Sequence, residues 1–362
     1  MRILILGFTK VNYMPYINLY LNTIDTIKND VHTVIWLRDM KPDTVLPDSI
    51  TQHNFEYQLD DSIRKIMKVR AFLKYRQFVV RILHTYCFDK VVILHTLPGI
   101  TILDKLIFTY SKRYLLDFRD STYERYRLFK RIVHILVENS FATFISSDAF
   151  RKYLPTHCRH IYTIHNLQIN YLEQKNSGYW SNLSPIVIAF WGLVRHFEVN
   201  KAIITALAND QRFELHYHGR IQGEERGLAE IANNLKATNI FFHDEYFPDE
   251  VPAFARKTSI VHNIYDNNDD NMRIAISNKY YDAMVFGIPQ LCMEGSYLAD
   301  RVMAEGVGLA CNPFSGRFGD DIFDYYSSIN KAEFQLRCSV RLSEIIVQMK
   351  CVIDVIGKNF NE

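Results

Sequence analysis

The twelve residues Asn278-Lys279-Tyr280-Tyr281-Asp282-Ala283-Met284-Val285-Phe286-Gly287-Ile288-Pro289 carry more chemical information than any other stretch of the chain. Their pattern is that of the first turns of a helix with one acidic side chain, Asp282, directed inward. Gly287 then stops the helix, and Pro289 leads into a short apolar strand at 290–293. A carboxylate near a helix start, in a loop at the carboxyl ends of parallel strands, is placed to accept hydrogen bonds from the vicinal hydroxyls of a ribose. An ordinary capped helix before a strand has the same spacing. Lys279, one turn before Asp282, can pair with it or touch a phosphate.

Three further groups have the composition of a site. The apolar run at 186–191 ends at Gly192 and is followed by Arg195 and Lys201. Two phosphates concentrate negative charge, for which Arg offers a bidentate fork and Lys a point charge; a solvated pair flanking a helix start would look the same. The run at 213–218 ends at Gly219, where the missing Cβ lets the backbone approach a ligand. In the first half, Leu116-Asp117-Phe118-Arg119-Asp120-Ser121 alternates so that Asp117 and Arg119 share one face and Asp120 takes the other. Asp120, at the carboxyl end, is the candidate cleft carboxylate there, with an ion pair to Arg119 or Arg125 as the alternative. His95 ends the neighbouring apolar run and is the second candidate catalytic group. No Ser-His-Asp order, metal-ligand cluster, Walker loop or G-x-G-x-x-G stands out, so no metal or cofactor is expected, and the 13 histidines read as scattered.

These groups need elements to hold them. Short apolar runs at 2–7, 32–37, 90–95, 114–118, 142–146 and 160–164 alternate with helical patterns, and a second set follows at 185–191, 213–218, 239–242, 259–263, 290–293 and 308–311. Apolar strands alternating with helices predict parallel sheets covered on both faces, here as two doubly wound α/β domains. The expected division is 1–170, a linker over 171–184 that is rich in Asn and Ser, 185–335, and a helical tail over 336–362.

The bulk numbers agree. A chain of 362 residues with 48% hydrophobic and 23% charged content can bury two cores. Six cysteines without a C-x-x-C pair read as reduced core residues of a cytosolic protein. The net charge of +2 hides an asymmetry: residues 1–178 carry 25 Lys+Arg against 16 Asp+Glu, a net +9, and the remainder carries −7. The most basic part runs from Ile63 to Leu83, with Arg64, Lys65, Lys68, Arg70, Lys74, Arg76 and Arg81 and no acid. Its interleaved apolar residues suit an anionic membrane surface, though a plain solvated helix has the same composition. Nothing else fits a nucleic-acid module.

The segment from Asn278 to Pro289 resembles the N-K-x-x-E-A-M-x-x-G-x-P segment of GT-B glycosyltransferases of the family 4 type, and the 186–313 region follows the same course of strand ends and glycines. In the first half, Asp117-Phe118-Arg119-Asp120 resembles the Y-D-I-R-D strand end of capsule and O-antigen transferases, and His165-Asn166 resembles a P-N turn near the hinge. The resemblance implies two facing Rossmann-like domains with a last helix crossing back to the first. The donor, a nucleotide-diphosphate sugar used as substrate and not as cofactor, would bind the C-terminal domain, with Asp282 on the ribose and Gly192, Arg195, Lys201, Gly219, Asn278 and Lys279 around the pyrophosphate. The acceptor would be a glycan, polyprenyl-linked, at the inner face of the cell membrane. It further implies retention of configuration without a metal; the alternative is a non-catalytic subunit of the same fold. Three departures stand out. The family's Arg follows its Gly at once, whereas here Leu193 and Val194 stand between Gly192 and Arg195. The glycine-rich turn after the first strand is replaced by Phe8-Thr9-Lys10-Val11-Asn12-Tyr13, and the position of the family's sugar-contacting Glu falls on Ile274. Asp269, Asp270 or Asn271 are the candidates to substitute for that Glu.

Overall fold

The structure is a computed structural model and describes residues 1–59, 65–121, 123–178, 180 and 185–362. It divides into two units, Met1–His165 with Val347–Glu362, and Asn166–Ile346.

The first unit is built on seven parallel strands: β1 (Arg2–Leu6), β2 (Asp30–Leu37), β3 (Ile50–Glu56), β4 (Lys90–Leu94), β5 (Tyr114–Phe118), β6 (Ala142–Ile145) and β7 (Ile161–Thr163). Their order is β3-β2-β1-β4-β5-β6-β7, with Leu4 opposite both His32 and Val91. Strands buried on both faces are apolar along most of their length, and β1, β4, β5 and β6 are so apart from Arg2 and Lys90 at their starts, Asp117 and Thr143. β3 is absent from the expected set. It reads I-T-Q-H-N-F-E, and as an edge strand it buries only Ile50 and Phe55, so it has no apolar run to announce it. The order reverses between β1 and β4, and the carboxyl ends of these two strands are where such a sheet opens a crevice.

The second unit has six parallel strands: β8 (Ile186–Trp191), β9 (Phe213–His218), β10 (Ile240–His243), β11 (Ile260–Asn263), β12 (Gln290–Met293) and β13 (Gly308–Cys311). Their order is β10-β9-β8-β11-β12-β13, which reverses between β8 and β11. One core joins Ile188, Phe190, Leu215 and Tyr217 of the sheet to Ile203, Ile204 and Leu207 of the helix Phe197–Leu207 and to Phe318 and Ile322 of the helix Phe318–Ser328. Each such side chain, fully buried, contributes about 1.5–3 kcal/mol.

The division falls at His165/Asn166 because the next residues pack into the second unit. Tyr171 lies against Phe286, and the amides of Asn176 and Gly178 donate to the carbonyls of Val285 and Phe286. Residues 179 and 181–184 of the expected linker lie outside the described residues. The last helix, Lys331–Phe360, leaves the second unit at Ile346. From there Met349, Val352, Ile356 and Phe360 are buried in the first unit, and the Asn361 side chain donates to the Thr23 carbonyl and accepts from the Asp25 amide, both at 2.9 Å. Among the described residues no helix is long and apolar enough to cross a membrane.

Candidate functional site

In the second unit, the site forms where the sheet order reverses. β8 ends at Trp191, and Gly192 follows with φ +130, a conformation glycine adopts without Cβ strain. The turn continues through a bridge of Val194 to Ile221 and a left-handed His196 (φ 67) into the helix Phe197–Leu207. Gly219, φ +128, ends β9 beside it. A Cβ there would collide with the carbonyl oxygen of Gly192, so the two strand ends approach this closely only because Gly219 lacks one. Their amides extend the ladder: Gly192 donates to the His218 carbonyl at 3.0 Å and Gly219 to that of Asp244 at 3.1 Å.

A buried polar latch holds this turn. The Asn200 amide donates to the carbonyls of Arg195 (2.6 Å) and His196 (3.2 Å), while its oxygen accepts from the Tyr217 hydroxyl and from His262 Nε2, each at 3.0 Å. His262 Nδ1 accepts from the Ile264 amide, which leaves the proton on Nε2. Burial, with the charge of Lys279 beside it, pushes the His262 pKa down to about 3, so the ring stays neutral and keeps this hydrogen-bond direction.

The helix Asn278–Phe286 brings the charged groups in. It starts after Ser277 and ends at Gly287 in a left-handed conformation (φ 67). Lys279, 5% exposed, donates through Nζ to the Trp191 carbonyl at 3.1 Å and to the Tyr265 hydroxyl. Its ammonium also sits 4.1 Å from the centre of the Phe190 ring, a cation–π contact. Asp282, one turn on and equally buried, accepts from Trp191 Nε1 at 2.9 Å. Burial raises its pKa to about 6, against the Trp191 hydrogen bond and the Lys279 charge, which pull it down. Burial raises the phenols of Tyr171 and of Tyr246, in the loop after β10, above their usual value, and the charge of Asp282 adds to it. That loop is anchored by Phe254, whose ring meets those of Tyr246 (5.2 Å) and Trp191 (5.7 Å).

Of the expected residues, the fold brings together Gly192, Gly219, Lys279 and Asp282. Arg195 is exposed on the turn and Asn278 is exposed at the helix start. Lys201 is exposed on the helix and faces Glu198 at 3.6 Å on its own turn. Lys279, not Lys201, is the ammonium next to Gly192. Asn200, Trp191 and His262 were not anticipated; a buried Asn in an otherwise apolar helix face is the one signal the sequence held. Asp269 caps the helix Asp270–Ile274 by accepting from the amides of Asn271 and Met272, Asp270 pairs with Arg273, and Ile274 is buried.

In the first unit the two acids of the Asp117-Phe118-Arg119-Asp120 segment separate. Asp117 is fully buried, with Arg119 in a bidentate pair (2.6 and 2.9 Å) and the Tyr20 hydroxyl at 2.7 Å. Arg119 is therefore tied to Asp117, and Asp120, at the strand end, is exposed. His95, 6% exposed, adopts φ 81 at the end of β4 and accepts the Leu97 amide on Nδ1. Burial lowers its pKa, while the charge of Asp120, ahead of that of Asp117, acts in the opposite direction. Phe8 packs on His95 with ring centres 4.9 Å apart, and the Arg38 guanidinium lies over the Phe8 ring. Glu124, also unanticipated, is buried and accepts from the hydroxyl of Thr96, the residue after His95.

No protein-family model matches the chain, and no curated protein matches it in sequence. Solved structures do match. The lipopolysaccharide outer core galactosyltransferase WaaB aligns at TM-score 0.68 and 12% identity over 100% of this chain and 98% of its own. Sucrose-phosphate synthase from Thermosynechococcus elongatus aligns at TM-score 0.67 and 11% identity over 98% and 99%. Anabaena HepE, solved with UDP and glucose, aligns at TM-score 0.62 and 12% identity over 99% of each chain. At such identities the likeness is one of backbone, and it extends from end to end: the chain has the two-domain GT-B fold of these glycosyltransferases.

Proposed function

We propose that the protein is a glycosyltransferase that moves a sugar from a nucleotide-diphosphate donor to a glycan acceptor. The observation that carries this is the Lys279–Asp282 pair, buried side by side at the switch point of the second sheet. A buried ammonium held by a carbonyl, a phenol and a ring face still has charge to offer an anion. A buried carboxylate with one oxygen engaged by an indole keeps acceptor capacity for sugar hydroxyls. In this reading Asp282 holds the ribose, and Lys279 with Arg195 and the first amides of the helix Phe197–Leu207 meets the diphosphate. Positive charge fixed there in advance stabilises the departing nucleoside diphosphate without reorganisation. The glycines let the backbone come close to it. HepE, on the same fold, is a complex with UDP and glucose. Retention of configuration and independence from a metal ion belong to the same reading, as does a role in surface polysaccharide synthesis, for which the likeness to WaaB is the support.

The acceptor side falls to the first unit, with Asp120 and His95 as the groups that meet it. For a lipid-linked acceptor the helix Lys65–Tyr86 is the membrane-facing element. Ile66, Met67, Val69 and Leu73 are exposed alongside the basic residues Lys68, Arg70 and Lys74. Arg76 is excluded from that surface by its bidentate pair with Asp104 at 2.6 and 2.9 Å. Ile63 and Arg64 of the basic stretch lie outside the described residues.

A second reading, a sugar-nucleotide-binding subunit without turnover, is favoured by one observation. Ile274 stands where the resembled family has a sugar-contacting acid, and the adjacent Asp269 and Asp270 are engaged as a helix cap and an ion pair. A melting screen with UDP, GDP, dTDP, ADP and CMP tests both readings, since a ligand bound only by the folded state raises its melting temperature. A shift with one nucleotide supports the donor site, and release of that nucleotide from its sugar in the presence of glycan acceptors decides for transfer. No shift with any of the five removes both readings of the second unit.

A further inference from the structure

We propose that His216, His218 and His243 form a binding site for a divalent transition-metal ion such as Zn2+, on the outer face of the β9–β10 edge of the second unit. Its three side chains are not those of the Gly192–Asp282 group, which it adjoins through the Gly192 amide on the His218 carbonyl.

The strand geometry builds it. Residues two apart on a strand point to the same face, so Glu214, His216 and His218 form one row along β9, while Phe213, Leu215 and Tyr217 enter the core on the other. β10 runs parallel with His243 opposite His218 and Phe241 opposite His216. The third histidine is thereby delivered to the end of the row. One ring nitrogen from each of the three lies within 4.8 Å of the others. His216 Nδ1 and His243 Nε2 are 3.0 Å apart, close to the separation of two nitrogens that share an ion at about 2.0–2.1 Å. Bringing in His218 requires ring rotation about χ2, a soft torsion, and His243 is exposed with room to turn.

The surroundings favour a metal over a bare stack of rings. His216 presents its other nitrogen, Nε2, to the Glu214 carboxylate at 3.4 Å. A carboxylate behind an imidazole fixes its tautomer and strengthens it as a donor, the usual arrangement around protein-bound zinc. The ring of Phe254 covers His218 at 4.4 Å, a dry wall on one side. The negative Glu214 sits at the end of the row away from His218. A bound ion would clamp the carboxyl end of β9 to that of β10. The turn at Gly219 and the loop of Tyr246 depart from those two ends.

The test is calorimetric titration of the EDTA-stripped, dialysed full chain with ZnCl2, followed by Co2+ as a spectroscopic replacement. One Zn2+ per chain is expected, together with a visible Co2+ absorption band that Zn2+ abolishes. His243→Ala, at an exposed position and checked by circular dichroism for an unchanged fold, should take binding below detection, and His216→Ala should do the same. Glu214→Gln should weaken binding by roughly 10–100-fold while keeping the stoichiometry. Absence of a stoichiometric site, or Zn2+ binding that survives His243→Ala unchanged, overturns the proposal. Neither result depends on whether the chain binds a nucleotide.

Discussion

The indole Nε1 of Trp191, the last residue of β8, donates to Asp282 Oδ2 at 2.9 Å and ties the sheet to the helix that carries the acid. The bond occupies one carboxylate oxygen in a place where burial raises the Asp282 pKa to about 6 from 3.8. The folded state therefore holds this proton more tightly than the unfolded chain does. The associated stability is complete below about pH 4 and is lost as pH rises through 6, an effect of roughly 3 kcal/mol at about 1.4 kcal/mol per pH unit. Asp282→Asn keeps an acceptor for Trp191 but has no proton to lose. It should melt above the native protein at pH 7.5, show a flatter melting profile between pH 4 and 6, and lose the stabilisation by nucleotide. Melting curves of both proteins across that range check this, and parallel profiles would exclude the assignment.

Lys279 separates charge from shape. The side chain is buried with its ammonium over the Phe190 and Tyr265 rings, so Lys279→Met fills much of the same space without the charge. Hydrogen bonds to charged groups contribute about 1.5–3 kcal/mol, so affinity for the nucleoside diphosphate should fall by roughly 10–100-fold. Affinity for the corresponding nucleoside, which lacks phosphate, should hardly change. Titration of both ligands against both proteins gives the comparison, and an equal loss for the two would mean that Lys279 only packs.

Gly192 and Gly219 are both left-handed, but their demands differ. At Gly219 a Cβ would meet the backbone of Gly192, which has no free direction to yield. At Gly192 the nearest atom to a Cβ is the flexible Lys279 Nζ at 3.7 Å. Gly192→Ala should cost only the strain of its φ, about 1–3 kcal/mol, and reduce nucleotide affinity. Gly219→Ala should destabilise by more and yield little soluble protein. Chemical denaturation of the two variants orders them, and an equal or reversed order would contradict the close approach of the strand ends.

Twelve of the strands were legible, most of them because a parallel strand between two helical layers is apolar on both faces, as Val91-Val92-Ile93-Leu94 and Ile186-Val187-Ile188 are, and β9 by its alternation of apolar and polar residues. β3 was not, since an edge strand with two buried residues carries no such mark. Gly192, Gly219 and Asp282 were legible for a related reason, as positions where backbone conformation or helix phase restricts the residue. Asn200 and the three histidines were not, because their roles arise from register and from contacts between elements. Asn200 bonds to β9 and β11, and His243 meets His218 only through the pairing of β10 with β9.

The Asp117-Phe118-Arg119-Asp120 segment allows structural and functional acids to be told apart within four residues. Asp117 is fully buried against Arg119 and Tyr20, so Asp117→Asn leaves the Arg119 guanidinium buried without its counter-charge. Breaking such a pair costs about 3–5 kcal/mol, enough to lower the melting temperature by many degrees whether or not ligand is present. Asp120 is exposed and acts on the strained, buried His95 through its charge. Asp120→Asn should leave the melting temperature within about a degree, as surface changes do. It should also shift the His95 titration to lower pH, because the opposite charge that favours the imidazolium is removed. If the first unit meets the acceptor as proposed, the same variant should lower turnover more than it weakens nucleotide binding. NMR titration of the His95 ring beside a melting curve distinguishes the two acids. A large loss of stability in Asp120→Asn, or none in Asp117→Asn, would reverse their roles.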